Sequence, residues 1–221
     1  MIQLSNVSKV FHTDGVRNTI ADQLSLTFPA GSAVALLGRN GAGKSCLLKM
    51  IAGSMCPTSG NIEVTGSVSW PVGFAGGLHG DLSGLQNTRF VARIHGVDTD
   101  ELVDFVEGFA ELGDHFRLPV RSYSQGMRAR LGFAMSMGID FDFYLIDEIT
   151  SVGDAAFRER SEAMLLARLE QRGAIIVSHN MGLLRRVCDA GVVFESGRAE
   201  WFDEVGPAIR RHHENLNVAL G

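Results

Sequence analysis

The sequence predicts an α/β fold with an antiparallel β subdomain at its start and an α-helical subdomain inserted into its core. Three observations carry this. Apolar segments within residues 1–30 read as antiparallel strands, short and almost wholly apolar runs at 33–37, 141–146 and 173–177 read as buried parallel strands, and residues from about 82 to 138 switch to helical periodicity. A chain of 221 residues has room for one large domain, or a core carrying an insert, and residues 1–221 read as a single domain.

Taken in order, IQLSNV and LSLTF are the first strands, and the polar stretch HTDGVRNT between them reads as a loop. AVALL then enters a glycine-rich loop. After it, KSCLLKMIAG places Leu47, Leu48 and Ile51 on one helix face, which Gly53 closes. In DTDELVDFVEGFAEL, Leu102, Phe105, Val106 and Phe109 fall at i, i+3, i+4 and i+7, and Asp98 with Glu101 has the spacing of a capping box. The apolar runs FDFYLI and GAIIV are separated by a helix over about 155–171, as parallel-strand crossovers require. GVVFES and RAEWF close the strands, and PAIRRHHENL is a terminal helix.

Composition excludes several classes. Apolar residues at 45% and charged residues at 20% describe a chain that buries a core. The start lacks the basic and apolar regions of a signal peptide, and no apolar run approaches the roughly 20 residues needed to span a bilayer, so a cytoplasmic location is expected. Cys46, Cys56 and Cys188 are scattered without CxxC spacing, which supports neither a disulfide framework nor a zinc site. A formal net charge of −5 argues against nucleic acid as a partner. The basic cluster at 210–213 reads as a solvated helix end.

The chemistry is concentrated in four motifs. GRNGAGKS, from Gly38 through Arg39, Asn40, Gly41, Ala42 and Gly43 to Lys44 and Ser45, fits G-x-x-x-x-G-K-[ST] and stands between a short apolar strand and a helix. Its glycines let backbone N–H groups wrap a phosphate chain, Lys44 offers a point charge to the terminal phosphates, and Ser45 is placed to ligate Mg²⁺. FYLIDE ends a buried strand in two carboxylates, where ligands of parallel sheets bind. Asp147 is assigned to the Mg²⁺ shell and Glu148 to orienting the attacking water. VSHN puts His179 at the exit of another apolar strand, as a sensor of the γ-phosphate. In SYSQGM, Ser124 is a good N-cap and Gly126 allows close backbone approach, so this helix start also favours an anion. It precedes the acidic pair within the helical insert, and nothing in the order forces it to meet the chain's own nucleotide.

The order GRNGAGKS, SYSQGM, LIDE, SVGD, VSH over nearly the whole chain resembles the nucleotide-binding subunits of ABC transporters. By that resemblance the core is a P-loop NTPase core of the ABC type. Two copies sandwich two ATP molecules head to tail, Ser124, Gln125 and Gly126 of one copy facing the γ-phosphate held by Lys44 of the other. Asp154 of SVGD belongs to the D-loop, Phe11 of SKVF to the aromatic that stacks on adenine, and Cys46 to the phosphate-binding segment. SWPVGFAGGLHGDLSG, YSQGMRARLGFAMSM and FDFYLIDEITSVGDAAF are most similar to the ATPase subunits that export capsular polysaccharide across the inner membrane of Gram-negative bacteria. The resemblance therefore implies a polytopic membrane permease as partner and a place at the cytoplasmic face of that membrane. The added carbohydrate-binding domain of some O-antigen exporters is not expected here.

Three departures from the family pattern stand out. VGFAGG around Phe74 holds no glutamine where the family usually has one, so no glutamine is assigned to metal or water. Cys46 follows Ser45 where threonine is usual, and its alkylation is expected to block ATP binding. Gln125 and Met127 replace the glycine and glutamine of LSGGQ, which leaves Ser124 and Gly126 as the transferable contacts. The stretch SWPVGFAGGLHG, with Trp70, Phe74 and Leu78, is a candidate surface for the permease, or else part of the core. An ABC exporter for another substrate, an O-antigen or teichoic-acid-like polymer or a lipid, and a non-transport P-loop phosphoryl transferase are the alternatives.

Overall fold

The computed structural model describes residues 1–13, 15–72, 77–148 and 154–218. In chain order it contains β1 (Ile2–Thr13), β2 (Val16–Phe28), β3 (Ala33–Leu37), α1 (Lys44–Ile51), β4 (Ser59–Val64) and β5 (Val68–Pro71). Next come α2 (Gly84–His95), α3 (Thr99–Ala110), α4 (Gln125–Gly138), β6 (Phe143–Asp147), α5 (Ala155–Leu169) and β7 (Gly173–Val177). The chain continues with α6 (Met181–Val187), β8 (Ala190–Glu195), β9 (Arg198–Phe202) and α7 (Val205–Val218). It divides into two compact units, one formed by Met1–Pro71, Phe141–Ile149 and Leu169–Gly221, the other by Val72–Asp140 and Thr150–Arg168.

The first unit holds two sheets. A three-stranded antiparallel sheet has the order β2-β1-β4, and a six-stranded sheet has the order β5-β6-β7-β3-β8-β9. In the latter, β5, β6, β7, β3 and β8 run parallel and β9 pairs antiparallel with β8. The parallel strands β3 and β7 are buried at every position, which explains why their sequences are continuous apolar runs instead of alternating ones. Leu36, Leu47, Leu48, Ile175, Val192 and Phe194 join one core, and each such side chain contributes about 1.5–3 kcal/mol by leaving water.

The stretch HTDGVRNT is not the loop its polarity suggests. His12 pairs with Arg17 and Thr13 with Val16, so the strands continue almost to the hairpin tip. Along this solvent-facing ribbon the β-branched residues Val16, Thr19 and Ile20 favour extended backbone, and polarity reports exposure only. Three further elements carry too little periodicity to be anticipated: the mostly exposed strand β4, the four-residue β5 and the seven-residue α6.

The second unit is helical and wider than residues 82–138, because it also takes in most of α5. Ser83 and Gln86 form a fully reciprocal capping box on α2, while Asp98 caps α3 by accepting from the N–H groups of Asp100 and Glu101. Phe109 lies between Phe105, Phe133 and Phe157, with ring centroids 5.6–5.8 Å away, so α3, α4 and α5 share one aromatic cluster.

Candidate functional site

Because β3, β6 and β7 are parallel, their last residues come to the same edge of the sheet. From β3 the chain turns through Gly38–Gly43 into α1. A side chain at Gly38 would collide with the carbonyl oxygen of Phe194, and one at Gly43 with Cγ2 of Ile20. Gly43 also holds φ 101°, a left-handed conformation, as the N-cap of α1. A glycine N-cap supplies no side-chain oxygen, so no side chain caps the first N–H groups of α1, which suits them to an anion.

Lys44 follows. Its Nζ donates to the carbonyl oxygens of Gly38 at 2.7 Å and Arg39 at 2.9 Å, which draws the ammonium back over the loop. Burial lowers its pKa, against the opposing pull of Asp147, Glu148 and Glu195. Three carboxylates therefore act on this one cation. Ser45 is exposed and Cys46 half-buried in the first turn of α1, whereas Leu47 and Leu48 point into the core. Arg39, Asn40 and Gly41 are exposed and Ala42 is half-buried.

Asp147 closes β6 and is the register partner of Val177 at the end of β7. The residues that follow, Glu148 and Ser178–His179, leave the sheet side by side. Glu148 holds φ 58°, uncommon for a residue with a side chain, while its N–H donates to the Val177 carbonyl at 2.9 Å. Its Oε1 lies 3.1 Å from Nε2 of His179, and both side chains are more than half exposed. The structure thus brings together the acid and the histidine that the motifs single out. Asn180 then caps α6 by accepting the N–H of Leu183 at 3.0 Å.

These residues fit a nucleotide with a magnesium ion. Ser45 and Asp147 offer one hydroxyl and one carboxylate, hard oxygen donors of the kind a magnesium ion would take. Among the described residues no group of three or more His, Cys, Asp or Glu side chains is placed to hold a metal ion by itself. Phe11 lies half-buried on β1 outside the hydrophobic core cluster, with the Lys9 ammonium 5.0 Å from its ring centroid.

The remaining predicted contacts lie in the helical unit. Ser124 is the N-cap of α4 and its Oγ accepts the N–H of Met127 at 3.2 Å. Ser124 and Gln125 are exposed, and a side chain at Gly126 would meet nothing nearer than Ser124 Oγ at 3.8 Å, so this helix start is open. Asp154 accepts from the N–H of Phe157 at 2.9 Å and from Nη2 of Arg130 at 2.9 Å. Those two bonds, the backbone one foremost, hold its carboxyl below the usual carboxylate range. Phe74 and residues 151–153 of SVGD lie outside the described residues. Trp70 is half-buried on β5 with its ring edge-on to Phe141 at 5.6 Å, and Leu78 is half-buried.

Two charged residues near these sites escape the motif reading. Glu195 ends the apolar strand β8, the same signal that marks Asp147, and applying it to GVVFES would have found it. Arg130 sits in a run of arginines and glycines on α4 and carries no such mark.

The sequence pattern of the ABC transporter family matches residues 21–151, more than half of the chain. The chain belongs to the ABC transporter family. This ABC cassette is 44% identical over 198 residues to the polysialic acid transport ATP-binding protein KpsT of Escherichia coli, covering 89% of this chain and 88% of that one. It is 41% identical to the ATP-binding protein BexA of Haemophilus influenzae, covering 97% and 99% of the two chains. It is also 41% identical to the capsule polysaccharide export ATP-binding protein CtrD of Neisseria meningitidis serogroup B, covering 96% and 99%. In fold it matches the cassette MJ0796, solved as a dimer in a post-hydrolysis state bound to ADP and Pi. The TM-score is 0.77 at 19% identity, over 93% of this chain and 99% of that one.

Proposed function

We propose that this chain is the ATP-binding and ATP-hydrolysing subunit that powers export of a capsular or related surface polysaccharide. The whole chain acts as one nucleotide-binding domain. The observation that carries the reading is the near full-length similarity to subunits named for capsule export and polysialic acid transport, in a chain where Lys44, Asp147, Glu148 and His179 gather at one end of a parallel sheet.

In this mechanism the backbone of Gly38–Ser45 and Cys46 cradles the phosphates, and Lys44 leaves the loop carbonyls for the terminal phosphate oxygens. Phe11 stacks on the adenine. Ser45 and Asp147 would hold a magnesium ion, which when bound would supply charge neutralisation at the phosphates. Glu148 orients and polarises the attacking water, and His179 holds the Glu148 carboxylate and reports the γ-phosphate. A second copy completes the site with its own Ser124, Gln125 and Gly126, and its Asp154 adjoins the same interface. ATP closes the pair, and hydrolysis with product release reopens it.

The motion is passed to a polytopic permease. That partner holds the cassette at the cytoplasmic face of the inner membrane; no helix among the described residues is long and apolar enough to cross a membrane. The test is co-purification with a candidate polytopic permease, followed by ATPase measurement with and without that partner. A complex whose hydrolysis responds to an acidic or lipid-linked polysaccharide supports the reading. A chain that binds no membrane protein and phosphorylates a small acceptor refutes it.

A further inference from the structure

Within the helical unit, Arg130 and Asp154 form a joint that the motif reading does not use. Arg130 lies on α4, less than two turns beyond the Ser124 cap. Its side chain is only 17% exposed, its Nη2 donates to Asp154 Oδ2 at 2.9 Å, and its guanidinium lies 4.6 Å from the centroid of the Phe157 ring. The other oxygen of Asp154 accepts the N–H of Phe157 at 2.9 Å, in the first turn of α5. The contacts close a ring from Arg130 to Asp154, to the Phe157 backbone, to the Phe157 ring and back to Arg130.

Exposed ion pairs fix little, because two long side chains must be ordered in water. This pair differs in three respects. The cation is mostly buried, it lies over an aromatic ring, and its acceptor is already immobilised by bonding the α5 backbone. Both carboxylate oxygens of Asp154 are thereby engaged inside the unit, so the residue acts through where it is held.

We propose that Arg130 is a positioning residue for ATP hydrolysis: it ties Asp154 to the helix that presents Ser124 and Gly126, so that both segments meet the second copy at a fixed spacing. The inference rests on the two-copy reading above. Ser124 and Asp154 belong to segments far apart in the chain, and displacement of either by about 1 Å is enough to cost most of the rate. The nucleotide held by a chain's own Lys44 loop does not depend on the joint.

The experiment measures steady-state ATPase of the full chain across protein and ATP concentrations, for wild type, Arg130→Met, Arg130→Lys, Asp154→Asn and the Arg130→Met/Asp154→Asn double variant. Arg130→Met is expected to lower kcat about tenfold with KM for ATP within about twofold. Arg130→Lys recovers part of the loss, because an ammonium still reaches Asp154 but lacks the planar fork. Asp154→Asn keeps a helix-capping oxygen and loses the charge, so it matches Arg130→Met, and the double variant is no worse than either. Unchanged kcat in Arg130→Met, or two losses that multiply in the double variant, overturns the joint. Should Arg130→Met fail to fold, Phe157→Leu removes the ring beneath the guanidinium and leaves the ion pair. A fall in its kcat at unchanged KM supports the proposal, and an unchanged kcat overturns it. A wild-type chain that stays a single copy by sizing during ATP turnover, with a rate strictly proportional to protein concentration, overturns the two-copy reading itself. Wild-type cooperativity beside an unaffected Arg130→Met overturns only the joint.

Discussion

Oε1 of Glu148 and Nε2 of His179 stand 3.1 Å apart at the ends of neighbouring strands whose terminal residues, Asp147 and Val177, are register partners. Parallel register thus places two residues that are distant in sequence on one side of the phosphate loop. Glu148 holds its positive φ at the strand exit, a sparsely populated conformation that costs of order 1–3 kcal/mol.

On the proposed mechanism, Glu148→Gln weakens the group that orients and polarises the attacking water and leaves the phosphate loop intact. Its kcat is expected to fall by about 10²–10³, with bound ATP retained and a pair of copies trapped by it. His179→Ala is expected to fall less, by roughly tenfold to a hundredfold, because it acts through the Glu148 carboxylate and the γ-phosphate. Single-turnover hydrolysis with a sizing measurement checks both. Full activity in Glu148→Gln would assign the base elsewhere.

The three cysteines give a second, chemical readout. Burial pushes the Cys188 thiol up to about 12, with a smaller push from Asp189, so it carries almost no thiolate near neutrality. Cys56 is exposed and Cys46 half-buried in the first turn of α1. Native alkylation should modify Cys56 and Cys46 and reach Cys188 only after unfolding. ATP should protect Cys46 and leave Cys56 reactive, and alkylation of Cys46 should abolish ATP binding. Peptide mass mapping with a nucleotide-binding assay decides the point. Retained affinity with Cys46 fully modified contradicts its place against the phosphates.

What was legible in the sequence followed from how strongly each residue is constrained. AVALL and GAIIV announce buried parallel strands because both faces are covered, and GRNGAGKS announces its loop because only glycine fits beside Phe194 and Ile20. Ser124 and Asp98 were legible as caps because a short polar side chain before an apolar helix has one good use. The continuation of β1 and β2 through His12 and Arg17 was not, since exposed strand residues look like loop residues. Arg130 was missed for a different reason. Its importance arises from Asp154 and Phe157, on a segment distant in the chain, and no local spacing encodes that meeting.

Asp142 supplies a pH test of the first unit. Its Oδ2 accepts the N–H of Ser67 at 2.8 Å and the Ser67 hydroxyl at 3.0 Å, tying the approach to β5 to that of β6. These bonds, backbone first, hold its carboxyl below the ordinary value of 3.8. A depressed folded-state pKa contributes stability that is present above the unfolded value and lost as pH falls through the folded one. Asp142→Asn should therefore unfold at lower denaturant than wild type near pH 7, with the gap closing as pH drops below the carboxylate range. Because the carboxylate is half exposed, the effect is expected to be small. A gap that stays constant down to acid pH would show that charge plays no part.

Ser124 separates capping from phosphate recognition. Its Oγ accepts the Met127 N–H at 3.2 Å, and losing such a cap in Ser124→Ala costs about 1 kcal/mol. Asp caps a helix as well as Ser does, and on the two-copy proposal it would add a negative charge where the other copy's γ-phosphate would lie. Ser124→Asp should therefore keep the wild-type Tm and lose most ATPase activity, while Ser124→Ala loses Tm and retains more of the rate. The Asp variant also gains a favourable interaction with the helix N-terminus and loses the hydroxyl donor, so activity lost without loss of Tm points to an anion meeting this helix start and not to a weakened cap. Measured thermal unfolding and kcat for the two variants decide it. An Asp variant as active as wild type would mean that no phosphate approaches this helix start.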